Sequence, residues 1–297
     1  MLSTLDPGSP AARRGLSDIT IRNLFIIPTI AFLIVFNIFP LVYSLGYSFT
    51  DFRASSSAPP SFVGLQNYRD LLADEHIWNN FTVTAKYVLV SVGGQVLIGF
   101  GVAMLLNREI PFKGVITTLL LLPMMMSMVV VGLFWELLYS PSWGIIDYLL
   151  GLEGFDWLSN PDVALYAIAF TDIWMWSPFV MLLCLAGLSA IPRRLYEAAA
   201  IDRASHWYTF TRITLPLVTP LLLIAVIFRT MEAIKMFDLA FIMSTQETAE
   251  LIAIKLYRLA FQEWQTGPSC ALAYMVLIMV LAVTNIYVKY LNRAKAR

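Results

Sequence analysis

Asp172, Arg229, Glu232, Lys235 and Asp238 lie inside stretches that are otherwise almost wholly apolar. A charge at the centre of a bilayer costs on the order of 2.5–3.5 kcal/mol by insertion scales, so such residues face protein or water wherever the stretch spans a membrane. Arg229, Glu232, Lys235 and Asp238 follow one another at intervals of three. On a helix that spacing sets opposite signs on neighbouring turns. The charges can neutralise one another as an internal ladder, which suits Lys235 and Asp238 nearer the outer end. Alternatively, paired charges in a water-filled path can hydrogen-bond a polar solute, which suits Arg229 and Glu232. A proton relay through Asp172 and Glu232 is a third use, that of a secondary carrier or membrane enzyme. No catalytic constellation accompanies it: the chain has no Gly-x-Ser-x-Gly, no His-Glu-x-x-His and no paired histidines. His76 and His206 have no Cys or His nearby in sequence, and Cys184 and Cys270 lie in or beside apolar runs. No metal site is expected from such spacing, and both cysteines read as small core residues.

A second group of residues points to surface chemistry. Residues 195–216 read Leu-Tyr-Glu-Ala-Ala-Ala-Ile-Asp-Arg-Ala-Ser-His-Trp-Tyr-Thr-Phe-Thr-Arg-Ile-Thr-Leu-Pro. Residues 197–201 are mostly strong helix formers, and their alanines give the helix a narrow face that can enter a groove on a partner. Trp207, Tyr208, Phe210 and Ile213 add apolar anchors that a solvated linker would not need. An amphipathic helix lying on lipid headgroups is the alternative reading of the same composition.

The elements that hold these residues follow from hydropathy. The chain is 59% hydrophobic and only 13% charged, with a mean hydropathy of +0.71, which places it in a lipid bilayer. Lys+Arg and Asp+Glu balance at 20 each, so no basic field argues for nucleic acid. A span needs about 20 mostly apolar residues. Six runs qualify, near 24–49, 81–106, 114–139, 164–188, 217–243 and 270–291, which makes an all-α membrane protein with one transmembrane domain over 24–291. Residues 1–23 are polar, are broken by Pro7, Gly8 and Pro10, and lack a signal peptide's apolar core and cleavage site. The first span is therefore expected to act as its own uncleaved signal.

Arg13, Arg14 and Arg22 precede span one, Arg108 and Lys113 lie between spans two and three, and Arg193, Arg194, Arg203 and Arg212 lie between spans four and five. Lys289, Arg293, Lys295 and Arg297 close the chain, while the opposite loops carry only Arg53, Arg69, Lys255 and Arg258. The positive-inside rule then puts both termini, including the 292–297 tail, and the 189–216 loop in the cytoplasm. The loop after span three faces outward and carries only acids, Asp147, Glu153, Asp156 and Asp162.

The 195–216 stretch resembles the EAA loop of ABC-importer permeases: Glu-Ala-Ala, then Asp-Gly-Ala, an aromatic, and Ile-x-Leu-Pro before the next span. The matching residues are Glu197, Ala198, Ala199, Asp202, Ala204, Phe210, Ile213, Leu215 and Pro216, with Arg203 standing where the pattern has glycine. Glycine tolerates a left-handed turn between two short helices, so Arg203 means either that the turn avoids positive φ or that it accepts a cost. Phe62-Val63-Gly64-Leu65-Gln66-Asn67-Tyr68, Leu105-Leu106-Asn107-Arg108, Leu122-Pro123 and Val131-Gly132-Leu133-Phe134-Trp135 are similar to the maltose-type carbohydrate branch.

The resemblance implies a type I importer permease fold whose loop forms coupling helices. It implies a second homologous permease, an ATPase dimer, an extracellular or periplasmic solute-binding protein and a location in the bacterial inner membrane. The chain has no Gly-Lys pair and hence no Walker A loop, so ATP and Mg belong to the ATPase subunits. The branch's sugar-lining positions, counted from Pro178 and Pro220, fall on Asp172, Trp176 and Phe179, and on Phe228, Arg229 and Glu232. In the third span they fall on Met124 and Met128, flanking Ser127. Charges stand at Arg229 and Glu232 where the branch has amides, which implies an amino, acidic or otherwise unusual glycoside, or a sugar alcohol. A glycerol phosphate or polyamine as cargo is the rival within the same assembly.

Overall fold

The computed structural model describes residues 18–152, 154–244 and 249–295. Glu153, the first 17 residues of the expected N-terminal segment and the last two of the expected tail lie outside the described residues. The first expected span is one continuous helix made of α1 (Asp18–Leu33), a π-helical turn (Ile34–Ile38) and α2 (Phe39–Ser48). Helix α3 (Gln66–Ala73) leads into α4 (Glu75–Leu106), whose start is capped by Asp74, the side chain accepting from the His76 backbone N–H at 2.8 Å.

The third expected span is not one helix. It divides into α5 (Lys113–Leu121), a 3-10 turn (Pro123–Met125) and α6 (Met128–Leu138), with Met126 and Ser127 extended between them. Pro123 supplies no N–H and its ring crowds the preceding turn, so the helical ladder stops there. Beyond α7 (Ile145–Leu150) runs α8 (Ala164–Ser189), which passes through Pro178 without interruption. Then come α9 (Arg193–Ile201), α10 (His206–Thr209), a second π-helical turn (Phe210–Thr214) and α11 (Leu215–Ile234). The fifth expected span also ends early: Lys235 caps α11, and Asp238 opens a separate α12 (Asp238–Met243). A short α13 (Ile252–Tyr257), a third π-helical turn (Arg258–Gln262) and α14 (Thr266–Lys295) complete the order. Five helical stretches among the described residues are long and apolar enough to cross a membrane: Arg22–Ser48, Glu75–Leu106, Ala164–Ser189, His206–Ile234 and Thr266–Arg293.

The pairing of α4 with α8 is the centre of the bundle, and α11 packs on both. Gly99 allows the close approach, because a Cβ there would lie 2.6 Å from the Ser177 carbonyl oxygen and 2.8 Å from Val180 Cβ. One apolar core lies around Tyr87, Val131, Ile168 and Leu239, and a second around Ala103, Met181, Cys184 and Val218. The loop after α6 is tied inward by Asp147, which is buried and accepts from the Phe155 N–H at 3.0 Å and from the Trp157 indole.

The first span stands apart from this core. The apolar window of Arg22–Ser48 has no residue buried inside the fold. Its far end is held by Tyr274 donating to the Leu41 carbonyl, and by Asn67 donating to the carbonyls of Ser48 and Thr50, each at 2.8 Å. A helix apolar on every side and free of the core has lipid or a neighbouring chain as its surroundings.

Candidate functional site

The 189–216 loop folds as two short helices joined by a tight turn. At the end of α9 the Arg203 N–H bonds the Ala200 carbonyl at 3.1 Å, and the Ala204 N–H reaches the Ala199 carbonyl at 2.9 Å. This pair is the Schellman arrangement, which needs a left-handed residue at the turn. Arg203 supplies it with φ 50. Of the two geometries open from the sequence, the chain therefore adopts positive φ and carries its cost. Ser205 then caps α10, accepting from the Tyr208 N–H at 3.2 Å.

Only part of this loop is anchored. Ala199 is buried, Tyr196 shares a hydrogen bond of 3.1 Å with Thr214, and the Phe210 ring lies 6.1 Å from Phe100 on α4. Glu197, Ala198, Asp202 and Arg203 face outward, as do Ile201, 81% exposed, and Trp207, 73% exposed. The turn thus presents an apolar and charged tip while its base is fixed to the bundle. Tyr196, Thr214 and Phe100 were not marked by the sequence pattern, since nothing in their spacing shows that they meet.

Of the expected ladder only the Glu232–Lys235 step forms, and Arg229 pairs elsewhere. Arg229 on α11 turns inward and lies almost completely buried, as does Asp172 on α8. The Arg229 Nη2 donates to both Asp172 oxygens at 3.1 and 3.2 Å, and its Nε donates to Gln95 Oε1 at 2.8 Å. Gln95 Nε2 donates to Asp172 Oδ2 at 2.8 Å and to Ser91 Oγ at 3.0 Å, and Ser91 donates to the same carboxylate. The guanidinium carbon lies 4.5 Å from the centroid of the Trp176 ring, close enough for cation–π attraction. Trp176 in turn meets Phe179 edge to face at 6.4 Å.

Asp172, Trp176, Arg229 and, through Trp176, Phe179 are therefore brought together. Glu232 is not part of this cluster; its carboxylate pairs with Lys235 at 2.9 Å, both about half exposed. Phe228 is exposed, next to Arg229 in sequence but facing away from the buried pair. Met124, Ser127 and Met128 fall at the break between α5 and α6: Met124 in the 3-10 turn, Ser127 exposed, and Met128 half-buried against the first core. A cavity of about 480 Å³ opens at this break, lined by Gly99, Pro123, Met126, Trp174 and Ser177 among others. Gln95 and Ser91 were missed by the sequence reading. The available signal was a glutamine and a serine four apart in the apolar stretch that follows Lys86.

Comparison with known proteins places this geometry. The family model described as "Binding-protein-dependent transport system inner membrane component" matches residues 95–297. A trehalose/maltose transport system permease protein of Thermococcus litoralis is 34% identical over 276 residues, covering 90% of this chain and 92% of that one. A sulfoquinovosyl glycerol transport system permease protein of Agrobacterium fabrum is 30% identical over 283 residues, covering 93% and 92%. Among solved structures, a bacterial ABC transporter involved in the import of the acidic polysaccharide alginate superposes with a TM-score of 0.78 at 21% identity, covering 92% of this chain and 95% of that one. The fold is that of an ABC-importer permease, and the chain belongs to the family of binding-protein-dependent transport system inner membrane components.

Proposed function

We propose that the chain is one of two paired permeases in an ATP-driven importer of a sugar or glycoside. The observation that carries the reading is the 189–216 loop: its base is fixed to the bundle, while Ile201 and Arg203 at a strained turn and Trp207 just after it stand outward from the fold. An ATPase dimer holding ATP and Mg closes on this tip, and a loaded solute-binding protein docks on the opposite face. Alternation between outward and inward openings then carries the solute across. The carbohydrate cargo is supported by relatives that serve trehalose/maltose and sulfoquinovosyl glycerol transport.

The charge at Arg229 is no argument for a charged cargo, because Asp172 and Gln95 satisfy it within the chain. Phe228 and Glu232 are the members of the expected path that α11 leaves exposed, an aromatic face and an acceptor of the kind that suit a sugar ring and its hydroxyls. The test is to co-express the chain with an ATPase, a second permease and a solute-binding protein from the same genome. Co-purification, ATP hydrolysis stimulated by the loaded binding protein, and uptake of a labelled disaccharide into proteoliposomes are the expected results. Purification of the chain alone, or uptake driven by a proton gradient without ATP, would refute the assignment. Selective uptake of a polyamine or glycerol phosphate would move the cargo to that class.

A further inference from the structure

Three helices meet in the buried polar cluster: α4 through Ser91 and Gln95, α8 through Asp172, and α11 through Arg229. Apolar faces of neighbouring helices can slip past one another at little cost, since each apolar group that leaves one neighbour meets another of the same kind. A guanidinium held by Nη2 on both carboxylate oxygens and by Nε on Gln95 has no such neighbouring solution: the two directions together fix its place, and moving either partner leaves an uncompensated buried charge. With Arg229 and Asp172 at 2% and 0% side-chain exposure, water cannot replace the broken hydrogen bonds.

The helix that carries Arg229 also starts in the 189–216 loop. His206–Ile234 runs as one helical stretch, so Arg229 stands 23 residues beyond its start beside the tip. At 1.5 Å per residue this is a lever of about 35 Å. Its far end also sets Trp176, against which the guanidinium is stacked, and through it Phe179.

We infer that Arg229, Asp172, Gln95 and Ser91 form a positioning cluster for transport, joining α4, α8 and the outer part of α11 into one moving body. A displacement applied at the loop then reaches the solute path as rotation of this body, and is not dissipated by slippage between helices. This deepens the import reading above and rests on it. The four residues do not contact the solute; they hold those that do.

The test separates positioning from stability. A buried ion pair can often be exchanged for well-packed apolar residues with little loss of stability. In the fully assembled importer, the Asp172→Leu/Arg229→Met double variant is compared with wild type for melting temperature, for solute uptake per ATP hydrolysed, and for the α4–α11 distance read from spin labels at positions 89 and 235. The expected result is near-normal melting but uptake per ATP lowered roughly fivefold or more, the scale of an ordinary coupling energy. In the wild type the labelled distance is expected to stay unchanged between resting and ATP-trapped states. Wild-type uptake per ATP in the double variant, or a wild-type distance that shifts between the two states, overturns the inference. Should the double variant fail to fold, the wild-type distance decides by itself. Failure of the import reading would show separately, as absence of binding-protein-stimulated ATP hydrolysis in the wild type.

Discussion

Arg203 occupies a backbone conformation that a Cβ resists, at a cost of roughly 1–2 kcal/mol. Arg203→Gly is therefore expected to stabilise the isolated chain by about 1 kcal/mol, read by thermal unfolding in detergent. If the arginine reaches the ATPase, the same change lowers transport-coupled ATP hydrolysis, so stability and coupling move in opposite directions. Removing one partner of the buried pair, by Arg229→Ala or Asp172→Ala, is expected to cost about 3–5 kcal/mol. Lys235→Ala, which breaks a half-exposed pair, is expected to cost less than about 1 kcal/mol. At the end of the first span, hydrogen bonds from the Ser61 hydroxyl and N–H hold the Asp51 carboxyl below its ordinary range. A lowered carboxyl supports the fold above its unfolded pKa and loses that support as pH falls through the folded value. Acidification should accordingly lower the protection of the residue-61 amide relative to its intrinsic exchange rate, and Ser61→Ala should move that onset to higher pH. Helical spacing in the sequence linked Arg229 to Glu232, three residues on; its actual partners lie 57 and 134 residues back, at Asp172 and Gln95. Spacing says which residues share a helix face, but tertiary packing decides how that face is turned.

Helix breaks were less legible than helix positions. Five of the six apolar windows fall on helical stretches long enough to cross a membrane, yet a hydropathy sum takes no account of backbone continuity, and the residues at the break in the third window are apolar apart from Ser127. Proline alone does not discriminate, since Pro28, Pro178 and Pro220 lie inside unbroken helices whereas Pro123 starts a break. The α4–α8 contact offers a matched test. Gly99→Ala places a methyl 2.6 Å from the Ser177 carbonyl, and is expected to part the helices at a cost of about 1–3 kcal/mol. Gly101→Ala meets nothing within 4 Å and is expected to be neutral or stabilising. Melting curves of the two single variants, two residues apart on one helix, decide whether close approach is the reason for glycine.

For the whole molecule, composition and the spacing of residues 195–216 together reached the class of protein, and the family match covers that same loop. The distribution of Lys and Arg predicts that the loop and both termini face the cytoplasm. With Cys184 and Cys270 replaced, a membrane-impermeant thiol reagent applied to intact cells should label Ser142→Cys and spare Ser205→Cys until the cells are permeabilised. The reverse pattern would invert the topology. Nothing in the sequence showed that the first span would find no place in its own core, because an all-round apolar helix reads alike whether its neighbour is lipid, its own bundle or another chain.

The π-helical turn Phe210–Thr214, between the loop and α11, winds more residues into its turn than an α-helix would use. Deleting one residue there would let the joint relax to α-helical winding with the flanking segments near their present phase, because the turn already absorbs one extra residue. Arg229 would then stay opposite Asp172. One residue deleted from the α-helical part of α11 between 215 and 228 would instead rotate Arg229 by about 100° to another face of the bundle. A single-residue deletion scan from 210 to 228 should therefore show tolerance within the π-helical turn and abrupt loss of assembly beyond it.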